Sequence, residues 1–191
     1  MKSIAISGSL RENVGKRDAK ELRYEGKVPC VLYGGEVQVH FSAFASDLKN
    51  LVYTPDALFV DLNIDGKKYQ AVMQDLQFHP VTDLVLHIDF LEMFQDKLLV
   101  MDLPVKFIGV SPGVKVGGKL IQKQKRLKVR GFPKDFTDTV EVNIGKLELG
   151  KAIRVGDITL KNLEITNSKA DTIVTVASSR ALKEAETAAK K

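Results

Sequence analysis

The chain has 191 residues, 44% of them hydrophobic, which is enough to build a core in one large domain or in two small ones. No apolar run approaches the roughly 20 residues that cross a bilayer, and residues 1–6 are too short for the apolar part of a signal peptide, so a cytoplasmic protein is expected. The single cysteine, Cys30, cannot form an internal disulfide, and its apolar neighbours predict that it packs as a small hydrophobic residue.

The net charge of +5 and the isoelectric point of about 9.2 favour an anionic partner only mildly. Residues 1–95 carry 10 Lys/Arg and 13 Asp/Glu, a net charge of −3, whereas residues 96–191 carry 19 and 11, a net charge of +8. Binding of an anion by the first half would therefore depend on a local group of side chains rather than on overall charge.

The first elements are predicted to be strands and short helices. Residues 3–7 alternate between polar and apolar, as in a half-buried strand. A helix is expected over residues 17–25, ended by Gly26, followed by a strand over residues 28–33. Gly34-Gly35 then turns the chain into a partner strand at residues 37–41, and Ser42 is predicted to be the N-cap of a second helix.

The hydrophobic period then changes to two. Apolar residues alternate over residues 58–64, Asp65-Gly66 predicts a hairpin turn, and the alternation returns over residues 69–73. A further strand pair is predicted at residues 76–78 and 84–94. Several short strands with two short helices favour a small closed or partly closed barrel, which removes exposed strand edges.

The strand pattern restarts near residue 95. Strands are predicted over residues 98–108, 125–131, 139–144, 153–158 and 172–177. We therefore predict a mainly β fold with short helices: a small N-terminal β-barrel domain over residues 1–95, a C-terminal all-β domain over residues 96–180, and a flexible or helical tail over residues 181–191.

Several short blocks in the first half occur in one order. They are Arg11 with Gly15-Lys16, Leu22-Arg23, Gly26-Lys27-Val28-Pro29, Tyr33-Gly34-Gly35, Gln74-Asp75-Leu76-Gln77, His79-Pro80 and His87-Ile88-Asp89-Phe90. This order resembles the bacterial ribosomal protein family that binds 5S ribosomal RNA (rRNA), in its longer form known as the general stress (CTC-type) protein. The resemblance implies a structural component of the large ribosomal subunit whose N-terminal domain binds 5S rRNA.

The expected RNA-binding residues are polar side chains in or near these blocks. They are Arg11, Lys16, Lys20, Arg23, Tyr33, Gln77, His79, His87 and Asp89. An RNA helix presents a wide, shallow minor groove with 2′-hydroxyls and base edges, which short polar groups on a rigid sheet can reach. The sequence departs from the family pattern at Arg17, Ala19 and Glu21, where a small residue, a serine and an arginine are usual, and Lys20 replaces a second arginine.

Less specific interpretations remain open for these residues. Acidic residues interleave with the cations of the first loop and helix, a mixture that is typical of an ordinary solvated face. His79 and His87 are equally typical of core or turn histidines that the backbone satisfies. His87 and Asp89 share a strand face without a nucleophile beside them, so no catalytic role is expected.

A second basic patch is predicted in the C-terminal half. Between residues 119 and 130 the chain carries six cations and no anion: Lys119, Lys123, Lys125, Arg126, Lys128 and Arg130. Self-repulsion makes such a run costly to leave unpaired, which favours neighbouring rRNA or an acidic ribosomal surface as its partner over an idle solvated hairpin.

Two stretches look like enzyme motifs but depart from what those enzymes require. Residues 113–119 have the spacing of a phosphate-binding loop, but Leu120 stands where a magnesium-binding Ser or Thr is required. Residues 4–11 look like the first strand and loop of NAD(P)H-dependent FMN reductases, which should continue as alternating helices and buried parallel strands. We expect no enzyme, cofactor, metal, membrane or small-molecule substrate; the alternatives kept are a conditional stress-associated RNA-binding factor and, last, the FMN reductase.

Overall fold

The computed structural model describes residues 1–178 and divides the chain into two compact units. The first unit comprises residues 1–101 and 132–138, and, among the described residues, the second comprises 102–131 and 139–178. The predicted tail over residues 181–191 lies outside the described residues. The domain boundary predicted after residue 95 stays a prediction.

The first unit contains six strands and two helices. Its strands are β1 Ser3–Leu10, β2 Lys27–Tyr33, β3 Val39–Phe44, β4 Phe59–Ile64, β5 Lys67–Phe78 and β6 Val85–Glu92, and its helices are α1 Lys16–Tyr24 and α2 Ala45–Val52. The strands close into a barrel in the order β1-β3-β2-β6-β5-β4. This confirms the predicted barrel. It also rules out the reductase-like alternation of helices and parallel strands.

The barrel interior is filled by apolar side chains from every strand. The rings of Phe41 and Phe90 lie 5.8 Å apart at its centre, and neither residue is exposed. Cys30 is likewise fully buried, as predicted, and burial, together with the nearby charge of Asp89, raises the pKa of its thiol to about 12. A thiol with this pKa stays protonated and unreactive.

The hairpin predicted at Asp65-Gly66 is confirmed. Both residues have positive φ angles, 46° and 86°, and Ile64 pairs with Lys67 across the turn. Positive φ at both central positions is the geometry that matches the twist of a two-residue hairpin. The turn fixes the register of β4 and β5, which is the register that closes the barrel.

Strand β5 is longer than the sequence predicts. Residues 76–78, expected to form a separate strand, are the end of β5, which pairs with β6 as far as Phe78. The register shifts between Met73 and Asp75 and again between Gln77 and Phe78. Because a bulge interrupts the alternation of apolar and polar residues, one continuous strand looks like two in the sequence.

The N-cap predicted at Ser42 is wrong. Ser42 lies inside β3, is 4% exposed, and pairs with Ser9 of β1 on one side and Pro29 of β2 on the other. Helix α2 begins only at Ala45, after Phe44, with no side-chain cap. A serine is a strong cap in isolation, but pairing with two neighbouring strands extends β3 past it.

The second unit contains the remaining strands, except that the first three residues of β7 belong to the first unit. They are β7 Leu99–Ile108, β8 Lys119–Gln122, β9 Arg126–Gly131, β10 Val140–Asn143, β11 Ala152–Arg154, β12 Glu164–Ile165 and β13 Thr172–Ala177, with the short helix α3 Pro112–Lys115. They form a four-stranded sheet in the order β10-β7-β9-β12 and a three-stranded sheet in the order β11-β13-β8. The all-β prediction is confirmed.

Several short elements of the second unit differ from expectation. The strand predicted over residues 153–158 stops at Arg154 and continues as a 3₁₀ turn over Val155–Asp157. Strand β8 was not predicted, because its four residues, Lys119–Gln122, do not alternate between polar and apolar. Since β8 and β9 lie in different sheets, the basic run is not a hairpin.

Candidate nucleic-acid interface

The outer face of β2, β6 and β5 brings together four of the expected RNA-binding residues. Gln77 of β5 lies directly opposite His87 of β6. Asp89 follows His87 on the same face, because the residue between them, Ile88, is fully buried in the barrel. Tyr33 lies further along β2, which pairs in parallel with β6. Three neighbouring strands of the barrel therefore present polar side chains on one outer face.

His87 and Asp89 form a close pair on this face. The His87 Nδ1 atom lies 2.7 Å from the Asp89 Oδ1 atom, and their side chains are 28% and 30% exposed. A carboxylate can only accept, so Nδ1 carries the hydrogen and the pair fixes the orientation of the ring. The other ring nitrogen, Nε2, is left for an external partner.

Tyr33 is held in its neutral form. Burial, and then the negative charges of Asp89 and Asp75, raise the pKa of the Tyr33 phenol above its ordinary value. The hydroxyl therefore stays protonated through the neutral range, where it can donate to a phosphate or a 2′-hydroxyl oxygen.

Asp75 was missed as a member of this face. It pairs with Asp89 across β5 and β6, and it lies two residues before Gln77 on the same strand. That spacing was a usable signal, because residues two apart on a strand share a face. With it, the central part of the face carries two carboxylates, which accept hydrogen bonds from base amino groups or 2′-hydroxyls but repel phosphates.

Arg11 is not the free cation that its sequence position suggests. Its side chain is only 7% exposed, and its Nη2 atom lies 2.5 Å from the Asp18 Oδ2 atom, with Nε at 3.1 Å. The pair joins the end of β1 to the first turns of α1. A direct RNA contact by Arg11 stays a prediction, but the guanidinium already has a structural partner in Asp18, one of the acidic residues that interleave with the cations of the first loop and helix.

Arg23 holds the other end of α1. Its Nε and Nη2 atoms donate to the backbone oxygen of Leu86 on β6, at 3.0 and 2.9 Å. The side chain is exposed, so its remaining N–H groups stay accessible. The two arginines thus fix α1 beside the strand that carries His87 and Asp89.

Lys16 and Lys20 are the accessible cations of α1. Both are exposed, and within residues 1–178 neither forms an ion pair. The Lys20 Nζ atom lies 5.8 Å from the centre of the Tyr24 ring, a distance at which the ring face attracts the ammonium only weakly. Arg17, by contrast, pairs with Glu21 at 3.2 Å. Helix α1 therefore offers point charges next to the polar tips of the barrel.

His79 is a turn histidine. Its Nδ1 atom accepts hydrogen bonds from the backbone N–H groups of Val81 and Thr82, at 3.3 and 3.2 Å, and closes the turn before β6. The backbone therefore satisfies one ring nitrogen of His79, as expected for a turn histidine. Nε2 carries the hydrogen and can still donate outward.

The second basic patch is divided between two sheets. Arg126, Lys128 and Arg130 are exposed and alternate along β9 with buried Leu127 and Val129. Lys119 lies on β8 of the other sheet, and Lys123 and Lys125 lie in the connection between the two strands. Arg126, Lys128 and Arg130 are called the β9 stripe below. Glu164 of β12 pairs with Arg130, so one end of this stripe has an anionic neighbour.

Neither a metal site nor a membrane span is found in the described part of the chain. Among residues 1–178 no three His, Cys, Asp or Glu side chains come close enough together to hold a metal ion. Over the same residues no helix combines the length and apolar character that crossing a membrane requires.

Similarity to known proteins extends along the whole chain. The model of the ribosomal L25p family matches residues 6–90, and the model of the C-terminal domain of ribosomal protein TL5 matches residues 99–180. The large ribosomal subunit protein bL25 of Cytophaga hutchinsonii is 47% identical over 191 residues, which cover both chains completely. That of Amoebophilus asiaticus is 46% identical over 183 residues, 96% of this chain and 93% of the relative, and that of Bacteroides fragilis is 42% identical over the full length of both.

Similarity of this degree extends over both units. The first family model ends at residue 90, inside the last barrel strand, and the second begins at residue 99, the first residue of β7. Because the full-length relatives and the two consecutive family models agree, the chain belongs to the ribosomal L25p family.

Proposed function

We propose that this protein is a cytoplasmic component of the large ribosomal subunit that binds 5S rRNA through its β-barrel. The observation that carries the proposal is the rigid outer face on which Tyr33, Gln77, His87 and Asp89 lie together. The resemblance described above implies the RNA partner, and the relatives' names place those proteins in the large subunit.

The face has the chemistry of minor-groove recognition. It offers a donor from Tyr33, the Nε2 acceptor of His87, an amide at Gln77 that donates and accepts, and a carboxylate acceptor at Asp89. These groups suit 2′-hydroxyls and base edges, which the wide minor groove of an RNA helix exposes. They do not suit phosphates alone, since two carboxylates lie among them.

The phosphate contacts are supplied by α1. Lys16 and Lys20 are exposed point charges, and Arg23 keeps N–H groups free beyond its bond to Leu86. Each neutralised phosphate releases counterions, so the affinity for RNA falls with salt in proportion to the number of such contacts. The barrel face then selects the groove while the helix supplies most of the electrostatic attraction.

Replacing Lys16 with alanine tests this division of roles. We expect the slope of log affinity against log salt concentration, measured by filter binding of 5S rRNA to the full chain, to become shallower by about 1. Lys67→Ala is the matched control, because Lys67 is equally exposed but lies at the β4–β5 turn. Equal slopes in Lys16→Ala and wild type would remove α1 from the interface.

The second unit is proposed to contact neighbouring large-subunit RNA or ribosomal proteins through the β9 stripe. Lys128 and Arg130 project from the same face of the sheet, anchored by buried Leu127 and Val129. Crosslinking of large subunits from unstressed cells, with peptide identification, should join β6 and α1 peptides to 5S rRNA and β9 peptides to a different component. Absence of the protein from unstressed subunits would instead favour the conditional stress-associated factor.

A further inference from the structure

The barrel unit has a cavity beside the residues assigned to RNA binding, and two of those residues, Arg23 and His79, line it. A cavity of about 290 Å³ lies where the end of α1, β2, α2 and the turn before β6 meet. Its walls are mainly aliphatic and include Val28, Leu48, Val52 and Val85. A space of this size, formed by packed elements rather than by a mobile loop, can accept an apolar side chain.

Apolar side chains continue from the cavity onto the surface. Leu84 and Tyr53 line the cavity and are nevertheless 64% and 61% exposed. The Tyr53 ring lies 6.4 Å from the ring of Phe78, which is itself 42% exposed. Single exposed apolar residues are common, but a contiguous group around a concave site is typical of an interaction surface.

The rim of the cavity is basic. Arg23, Lys27 and Lys49 line it, and of the described residues that line it none is acidic. Lys27 forms an ion pair with Glu25 at 3.0 Å, and Arg23 bonds the Leu86 backbone. Lys49 is exposed and has no ion pair within residues 1–178, so its ammonium is available to an incoming anion.

We propose that this groove binds an acidic, amphipathic segment of another protein, with an aliphatic or aromatic side chain in the cavity and carboxylates facing Lys49 and Lys27. An apolar centre with a polar, charge-complementary rim is the usual anatomy of a protein interface. A nucleobase fits less well, because aliphatic walls offer few polar groups to pair with a base edge. The inference goes beyond 5S rRNA binding: the cavity shares Arg23 and His79 with that proposal, but Leu84 and Lys49, which the test changes, belong neither to the barrel face nor to α1.

The experiment is a peptide selection on the full chain. A random-peptide phage library is first depleted on the Leu84→Glu variant and then selected on the wild-type protein. The enriched peptides are expected to combine acidic residues with Leu, Ile or Phe. By fluorescence anisotropy their affinity should fall by about tenfold or more in Lys49→Glu, the size expected for a close charge pair turned repulsive.

The controls separate the groove from general charge effects. Lys67→Glu, a like change at the distant β4–β5 turn, should leave peptide affinity unchanged, and thermal unfolding should confirm that all variants are folded. The proposal is overturned if no sequences enrich, if the enriched peptides lack acidic residues, or if Lys67→Glu is as damaging as Lys49→Glu. It is also overturned if single-stranded oligouridylate displaces the peptides and if the Lys49→Glu variant binds oligouridylate as weakly, relative to wild type, as it binds the peptides. The groove would then bind RNA.

Discussion

Replacing Arg11 with alanine is expected to weaken binding of 5S rRNA by about 1–3 kcal/mol, a loss of roughly 5- to 150-fold in affinity. The guanidinium ties α1 to the end of β1 through Asp18 at 2.5 Å, and it is only 7% exposed. Its removal frees the start of α1 and leaves the Asp18 carboxylate, 33% exposed, without its cation. Both changes weaken the phosphate contacts of the helix. A gel-shift titration of the full chain with 5S rRNA measures the loss.

Two further variants show how Arg11 acts. Arg17→Ala is the matched control, because Arg17 is 95% exposed and pairs with Glu21 one turn along its own helix; we expect a change within about 0.5 kcal/mol. Asp18→Ala removes the same link from the other side and should weaken RNA binding as well. If Asp18→Ala binds normally while Arg11→Ala does not, Arg11 contacts RNA directly. Normal binding by Arg11→Ala would exclude both roles.

The sequence predicted the barrel because its local signals agree with its packing. Asp65-Gly66 marks the hairpin, and the apolar alternation around it places Leu62 and Ile64 inside. The bulges of β5 and the inclusion of Ser42 in β3 could not be predicted, because both depend on strand neighbours distant in sequence. Local patterns specify an element more reliably than they specify its ends.

The sequence named four residues of the candidate face but not Asp75, and it did not reveal which charges pair. The sequence blocks named His87, Asp89, Gln77 and Tyr33, and the register of the barrel places them on one face. The ion pair between Arg11 and Asp18 could not be predicted, because interleaved charges in a loop and a helix do not show which side chains pair. Burial of the pair is a tertiary property.

Membership in the ribosomal L25p family confirms the resemblance and the expectation of a non-enzymatic protein. The match to the TL5 C-terminal domain agrees with the long form. The physical design is consistent with this: a buried, inert thiol and a rigid wall of hydrogen-bonding groups serve binding rather than turnover. The stability of that wall should therefore limit the affinity of the face.

Replacing Phe90 with alanine tests this dependence and is expected to destabilise the barrel by about 3–5 kcal/mol. Phe90 is fully buried against Phe41, with ring centres 5.8 Å apart, and it follows Asp89 on β6. Its loss leaves a cavity directly behind the strand that carries the candidate site. Urea unfolding, monitored by hydrogen exchange at the barrel amides, measures the free energy of unfolding of the barrel separately from that of the second unit.

Phe44→Ala is the control for this change. Phe44 is 53% exposed, and the Lys27 ammonium lies 5.6 Å from the centre of its ring, so a loss of about 1 kcal/mol or less is expected. In Phe90→Ala, 5S rRNA should restore part of the stability, because a ligand that binds only the folded barrel shifts the unfolding equilibrium toward it. If the two variants unfold at the same urea concentration, the core assigned to β6 is wrong, and with it the rigidity of the face that β6 supports.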